Sequence, residues 1–137
     1  MSETFAIETD LDIVAPRQRA RELASKLGLS HAAIEGVAIA LTEVARNILV
    51  HGGGAGTVTL CIDRAADGRD ALVIVASDHG PGIADVALAL QDGFSTAGTL
   101  GLGLAGARRL VDELHITTAP GAGTTVTLRK WGRKEST

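Results

Sequence analysis

Residues 72–82 read LVIVASDHGPG, a short apolar run that ends in an acidic residue and a glycine–proline–glycine turn. A run that is apolar throughout predicts a β-strand that is covered on both faces or central in its sheet. Asp78 ends this strand, and Gly80 and Gly82 keep the backbone after it free of side chains. A carboxylate placed there can accept a hydrogen bond from the amino group of a planar ligand. An ordinary turn explains the same residues.

Further strands and helices are predicted on both sides of this run. Strands are expected over residues 4–14 with a bend near 10–12, then over 57–63, 71–78, 115–118 and 124–130. Helices are expected from Pro16 to a stop at Gly28, from about 31 to 50 with Ser30 as N-cap, and from about 102 to 113. This order predicts an α+β fold, a two-layer α/β sandwich with the helices on one face of a mixed, mostly antiparallel sheet.

The composition predicts a single domain over residues 1–137, with a polar tail at 132–137 that is expected to fray. Of the residues, 45% are hydrophobic, and the formal net charge of −3 argues against nucleic acid as a partner. No apolar stretch has the length of a membrane span and the start does not resemble a secretory signal, so no membrane partner and a cytoplasmic location are expected. The single cysteine, Cys61, excludes an internal disulfide and is expected in the core.

The helix predicted over residues 31–50 has two distinct faces. Its apolar stripe is expected to face the core and consists of Ile34, Val37, Ala38, Leu41, Ala45, Ile48 and Leu49. Gly36, Ala40, Glu43 and Asn47 share a second arc, in which two polar side chains one turn apart are flanked by small residues. Because the flanking residues are small, such a face leaves space for a bound group that is not one of the protein's own side chains. Alternatively, Glu43 and Asn47 form the solvated side of an amphipathic helix.

A glycine-rich segment, LGLGLAG at residues 100–106, leads directly into the last predicted helix. Helix N-termini present unpaired N–H groups, and glycines allow phosphate oxygens to approach them. The spacing Gly101-x-Gly103-x-x-Gly106 also matches the dinucleotide fingerprint, but no apolar strand precedes it, so a Rossmann unit is not predicted. Taken by itself, Gly123-Thr124-Thr125 at the start of the last strand is typical of a turn.

Four of these motifs follow one another in a recognisable order along the chain. They are Glu43-x-x-Arg46-Asn47, Asp78-x-Gly80-x-Gly82, Gly101-x-Gly103-x-x-Gly106 and Gly123-Thr124-Thr125. This ordered set resembles the N, G1, G2 and G3 boxes of the Bergerat-fold (GHKL) ATPase superfamily, over roughly residues 30–131. The short chain and the segment Asp92-Gly93-Phe94-Ser95-Thr96 resemble most closely the RsbT-type switch kinases, which are serine/threonine protein kinases of bacterial partner-switching pathways.

The resemblance implies ATP and Mg²⁺ as ligands and assigns a role to each box. Asn47 is expected to bind Mg²⁺, which needs few protein ligands, and Glu43 is expected to act as base toward the attacking hydroxyl. Asp78 is expected to read the exocyclic amine of adenine, with Gly80 and Gly82 making room for the ring. The other nucleotide-binding residues that it implies are Gly101, Leu102, Gly103, Leu104 and Gly106 at the phosphates and Thr124 or Thr125 at the adenine.

The segment over residues 83–100 corresponds to the ATP lid of the family and contains no Lys or Arg. The related anti-sigma kinases usually carry a basic residue there, against the terminal phosphate. A cation is therefore expected from Arg46, from Arg108 or from a bound partner.

The function implied by the resemblance is phosphorylation of Ser or Thr on a small STAS-domain antagonist. Once released, the kinase is expected to bind and activate a PP2C-type phosphatase regulator through the same surface. Two alternatives stay open: an anti-sigma factor that mainly sequesters an RNA polymerase sigma subunit, and a nucleotide-binding regulator without transfer activity. The absence of a basic residue from the lid favours the switch kinase.

Overall fold

A computed structural model describes residues 2–82, 103–118 and 121–132. Its strands are β1 (Ser2–Ile7), β2 (Gly56–Arg64), β3 (Asp70–Asp78), β4 (Glu113–Thr118) and β5 (Thr124–Trp131). Its helices are α1 (Val14–Lys26), α2 (His31–Val50) and α3 (Leu104–Leu110), with a 3₁₀ turn at Asp10–Ile13 before α1. The expectations for the lid over 83–100, for Gly101 and Leu102, and for the tail from 133 lie outside the described residues.

The five strands form one sheet in the order β1-β2-β3-β5-β4. Each of the four pairings within the described ranges is antiparallel. The apolar run of β3 therefore lies at the centre of the sheet, as its composition predicted. The α+β, two-layer prediction is confirmed, with a sheet that is more regular than the mixed one expected.

The helices cover the sheet face that carries alternate residues of the inner strands. Leu72, Ile74 and Ala76 from β3 share one buried core with Val126 and Leu128 from β5 and with side chains of the helices. The predicted stripe of α2 contributes buried Val37, Ala38, Leu41, Ala45 and Ile48, with Ile34 and Leu49 partly buried at its margin. Within the described ranges no helix combines the length and the hydropathy that crossing a bilayer requires.

The α1–α2 hairpin was predicted with nearly correct boundaries, because its start and stop signals are local. The Ser30 hydroxyl accepts a hydrogen bond from the N–H of Ala33 (3.1 Å), as expected for an N-cap. Gly28 has φ +77°, a conformation that favours glycine after a helix end.

The first strand is shorter than its pattern predicted. It ends at Ile7, and residues 10–13 form a 3₁₀ turn. The Asp12 carboxylate accepts hydrogen bonds from the N–H groups of Glu8 (2.9 Å) and Thr9 (3.0 Å), which gives the backbone an alternative to the sheet ladder. The same two bonds hold the pKa of the Asp12 carboxyl below its ordinary value.

The last helix is also shorter than predicted. It ends at Leu110, Val111 is extended, and strand β4 begins at Glu113 inside the range assigned to the helix. The N–H of Asp112 donates to the carbonyl of Arg129 (2.9 Å). Pairing with β5 thus replaces the helical hydrogen bonds of this segment. Apolar periodicity alone does not reveal that strand pairing competes with the helix here.

Cys61 does not lie in the core, so that expectation is wrong. It is half-buried opposite Val73 in the β2–β3 register. Side chains alternate along a strand, and buried Val58 and Leu60 show that even-numbered positions of β2 face the helices. Cys61 therefore projects from the other face of the sheet.

Candidate functional site

The second arc of α2 faces α3 over its N-terminal half. A Cβ added at Gly36 would lie 3.3 Å from the side chain of Leu110, and Ala40 is fully buried. Glu43 and Asn47 lie half-buried further along the same arc. In the first half of the arc α3 packs against the small residues, and the solvated-face interpretation of Glu43 and Asn47 stays open, because both side chains are half-buried.

Gly103 brings the start of α3 against the carboxylate of Glu43. It is the N-cap residue of α3 and has φ +67°, a left-handed conformation that side chains disfavour. A Cβ at this position would overlap with Glu43 Oε2. Glycine is therefore required here both by the backbone conformation and by the close approach of the carboxylate.

Asp78 is held at the end of the central strand by two main-chain groups. Its Oδ1 accepts hydrogen bonds from the N–H of Gly80 (2.9 Å) and the N–H of Thr124 (3.2 Å). The second bond follows from the β3–β5 register, which sets Asp78 opposite Thr124. The carboxylate consequently has a defined orientation, with its other oxygen, Oδ2, on the side of Gly52.

Three glycines allow other segments to approach Asp78 closely. A Cβ at Gly80 would lie 2.7 Å from the Cα of Gly52, and one at Gly123 would overlap with the carbonyl oxygen of Asp78. A Cβ at Gly52 would lie 2.5 Å from Asp78 Oδ2. Glycine at position 80 thus allows the backbone after α2 to approach closely. This is a second reason for glycine there, beside the predicted one, which is space for the ring of a ligand. Gly52 was not among the residues selected from the sequence, because its proximity to Asp78 depends on the fold.

The register separates the two candidate threonines. Thr124 is paired with Asp78 and also contacts Thr118 through its hydroxyl (3.1 Å). The Thr125 hydroxyl instead contacts the Ser77 hydroxyl (3.1 Å), and alternation places this pair on the sheet face opposite Asp78. The structure therefore brings Thr124, and not Thr125, to the side of the carboxylate.

The remaining glycine-loop residues are placed differently from one another. Gly82 has φ +83°, and the N–H of Gly121 donates to the adjacent Pro81 carbonyl (3.0 Å). The side chain of Leu104 is buried in the core. Gly106 is exposed, and a Cβ there would meet nothing within 4 Å, so no contact of the described residues requires glycine at 106.

A cavity of about 270 Å³ opens beside Glu43 between α1 and α2. Its lining residues are Arg17, Arg21, Ala38, Ile39, Thr42 and Glu43. Arg21 pairs with Glu35 through two contacts of 3.1 and 3.2 Å. Sequence reasoning considered Arg46 and Arg108 as cations near the site and missed Arg17 and Arg21, because their proximity to Glu43 depends on how the two helices pack.

Asn47 fits a metal that is bound through a nucleotide. In the part of the chain that the structure describes, no three His, Cys, Asp or Glu side chains are grouped to hold a metal ion. Mg²⁺ commonly keeps one or two protein ligands and completes its octahedron with phosphate and water oxygens. A half-buried amide one turn beyond Glu43 matches that donor set and does not match a site built from protein ligands alone.

Comparisons with known proteins agree with this fold and order of motifs. The family model for the histidine kinase-like ATPase domain matches residues 7–130. The serine/threonine-protein kinase RsbT of Bacillus subtilis (strain 168) is 42% identical over 128 residues, which cover 93% of this chain and 94% of that protein.

A solved structure shares the fold at lower identity. The RsbU and RsbW domains of Rv1364c from Mycobacterium tuberculosis match with a TM-score of 0.57 at 22% identity. The match covers 96% of this chain and 33% of that one, and it bears on the fold alone. The family model and the similarity to RsbT show that this chain belongs to the histidine kinase-like ATPase family, as a member of its RsbT-type serine/threonine-protein kinases.

Proposed function

We propose that this kinase transfers the γ-phosphoryl group of ATP to a serine or threonine of a STAS-domain antagonist in a partner-switching pathway. The observation that carries the proposal is the contact of Gly103 with the Glu43 carboxylate. It brings the proposed base to the place where the glycine loop enters α3. The resemblance to the family's boxes supplies the nature of the nucleotide and of the partner.

Asp78 and Glu43 mark the two ends of the proposed nucleotide site. Asp78 lies against the loop that follows α2, whereas Glu43 lies seven residues before the end of α2 at Val50. At 1.5 Å per residue, that length of helix is about 10 Å. This is comparable with the separation of base and terminal phosphate in a bound nucleotide, so one ATP molecule can extend along the second half of α2.

At the adenine end of the site, we propose that Asp78 recognises the base. Oδ1 is occupied by two main-chain N–H groups, which leaves Oδ2 to accept a hydrogen bond from the exocyclic amine. A carboxylate accepts only and cannot donate, so it favours adenine over a base that presents a carbonyl at this position. We place Thr124 beside the same base because of its bond to Asp78.

At the phosphate end, we propose that Asn47 holds Mg²⁺ and that main-chain N–H groups of the glycine loop bind the phosphates. Mg²⁺, when bound, would neutralise negative charge on the phosphate oxygens. Asn47 and Glu43 share one arc of the same rigid helix. The backbone positions that carry the amide and the carboxylate are therefore fixed one helical turn apart.

Glu43 is the group that we assign to the acceptor hydroxyl. Its carboxylate takes the proton while the hydroxyl oxygen bonds to the γ-phosphorus and the bond from that phosphorus to the bridging oxygen breaks, releasing ADP. A positioned general base typically contributes about 10²- to 10⁴-fold in rate. Most of the remaining barrier reduction comes from alignment and charge stabilisation.

We propose that the partner docks over the cavity beside Glu43. The cavity is lined by Glu43 together with Arg17, Arg21 and Ile39, of which Ile39 is 52% exposed. Such a mixture of cations and apolar area fits a folded protein surface better than a small metabolite. After release of the antagonist, the same surface would be available to a PP2C-type phosphatase regulator.

Phosphate transfer to purified STAS proteins tests the proposal directly. The chain is incubated with γ-labelled ATP, Mg²⁺ and candidate STAS-domain proteins, and acid-stable label on Ser or Thr is expected on one of them. ATP binding without label on any candidate would favour a nucleotide-binding regulator without transfer activity. Affinity capture that recovers a sigma subunit and no STAS protein would favour an anti-sigma factor.

The role of Glu43 is tested by Glu43→Gln against Glu22→Gln. Gln keeps the volume of the side chain but cannot take the proton, so transfer should fall by about a hundredfold or more while ATP affinity and thermal stability stay close to wild type. Glu22 is half-exposed on α1 and pairs only with Arg19 among the described residues, so its variant should transfer normally. Equal activity of both variants would remove the proposed role of Glu43.

A further inference from the structure

Gly52 is buried at a point where its backbone conformation does not demand glycine. It lies two residues after the end of α2, and its N–H donates to the carbonyl of Ile48 (3.1 Å). It is absent from the glycines with positive φ, whereas the adjacent Gly53 and Gly54 have φ +84° and +87°. An alanine would therefore be acceptable to the backbone at 52, and the reason for glycine lies in its surroundings.

The atoms nearest to a Cβ at position 52 all belong to the Asp78 side chain. A Cβ at position 52 would lie 2.5 Å from Oδ2, 2.6 Å from Cγ and 2.8 Å from Cβ of Asp78. All three distances are shorter than real carbon contacts, so either the loop or the carboxylate would have to move.

The carboxylate cannot move without loss. Oδ1 accepts the N–H groups of Gly80 and Thr124, and rotation of the side chain would leave both donors without this acceptor. Movement of the loop that contains Gly52 away from Asp78 is also unfavourable, because Gly52 packs directly against the backbone of Gly80. A side chain at 52 would therefore displace Oδ2 from its present place.

We propose that Gly52 is a positioning residue that sets Asp78 Oδ2 for recognition of the ligand's exocyclic amine, so that base selectivity depends on the absence of a side chain at 52. This inference rests on the proposed function, in which Asp78 reads adenine. Gly52 acts through Asp78 and need not touch the nucleotide. Selectivity for the amine, rather than affinity alone, is accordingly the property that a substitution should change.

Calorimetry with two nucleotides tests the inference. The dissociation constants of ATP and of purine riboside triphosphate, which lacks the 6-amino group, are measured for the wild-type chain and for Gly52→Ala. Wild type should prefer ATP by about tenfold to a hundredfold, the range for a hydrogen bond to a charged acceptor. In Gly52→Ala the ratio of the two constants should fall close to one, mainly through weaker ATP binding.

Gly54→Ala serves as the matched control in the same loop. Its left-handed conformation makes alanine unfavourable, but a Cβ there would contact nothing within 4 Å. This variant should lose stability yet keep the wild-type ratio for the two nucleotides. A ratio that fell equally in both variants would indicate general loosening of the loop and would overturn the inference.

The outcomes separate this inference from the proposed function. If the wild-type chain binds neither nucleotide or binds both equally, adenine recognition at Asp78 fails. If wild type prefers ATP and Gly52→Ala keeps that preference, only the role of Gly52 fails. If Gly52→Ala unfolds, the stability loss that it causes is measured in the wild-type background and in an Asp78→Gly background. Asp78→Gly removes the atoms with which the new Cβ collides, so the loss should be smaller in that background. An equal loss in both backgrounds would contradict the inference.

Discussion

Replacing Asp78 by Asn or by Ala separates its structural bonds from its proposed recognition of adenine. Ala removes the acceptor of two main-chain N–H groups. A buried donor without a partner costs about 1–3 kcal/mol, and because Asp78 is only half-buried we take about 2 kcal/mol for the pair. With about 2.1 cal/mol/K per residue of unfolding entropy over 137 residues, Tm should fall by about 7 °C.

The Asn variant retains one acceptor oxygen of the same shape. It can therefore keep the bonds from Gly80 and Thr124, and only the charge assistance is lost, at about 0.5–1 kcal/mol or roughly 3 °C in Tm. Its amide nitrogen would then take the place of Oδ2 and meet the adenine amine donor to donor. ATP affinity should fall by about 2 kcal/mol, or roughly thirtyfold, in the Asn variant as in the Ala variant.

Differential scanning calorimetry and titration calorimetry with ATP and Mg²⁺ measure the two effects on the same samples. The expected pattern is a small stability loss for Asn, a larger one for Ala, and weak ATP binding for both. Wild-type ATP affinity in Asp78→Asn would refute adenine recognition by this carboxylate. Equal Tm values for the two variants would refute the structural importance of the Oδ1 bonds.

Three further predictions concern other parts of the chain. Gly103→Ala should reduce phosphate transfer about a hundredfold in a labelled-ATP assay, because alanine is strained at φ +67° and displaces Glu43; normal transfer would show that this contact is dispensable. Ser30→Ala should lower the free energy of unfolding in urea by about 1 kcal/mol through loss of the α2 N-cap, and an unchanged midpoint would contradict this. Asp12→Asn should destabilise the chain at neutral pH. Because the folded pKa of this carboxyl lies below its ordinary value of 3.8, its contribution is present above that value and is lost as the pH falls through the lowered pKa, so the difference in Tm from wild type should vanish in acid.

Much of the fold was predictable from local signals in the sequence. The periodicity of α2 and its N-cap at Ser30 act within a few residues of one another, so its bounds agree with the structure. The uniformly apolar run of β3 indicated its central place in the sheet for a similar reason. Errors arose where a long-range partner competed with a local pattern, as at Asp112, whose N–H bonds to Arg129 rather than continuing a helix.

The candidate site was predictable as a set of motifs, but its contacts were not. Glu43, Asp78 and Gly103 were all selected from sequence, and the structure places Glu43 against Gly103. The choice between Thr124 and Thr125 depended on strand register, because a shift of one residue moves a side chain to the opposite face. The proximity of Arg17 and Arg21 to Glu43 depended on the packing of two helices.

The sequence by itself determined the order of the elements, the class of the fold and the residue types that carry the chemistry. These follow from periodicity, caps and glycine spacing, which act over one or two turns of chain. Only the tertiary structure decided that Gly52 contacts Asp78 across 25 residues of intervening chain, since α2 and β3 are brought together by burial of a common core. Burial of apolar surface is not directional, so the apolar pattern of the sequence specifies only which faces of the helices and strands are covered. Which atoms then touch is decided by close packing of the folded chain.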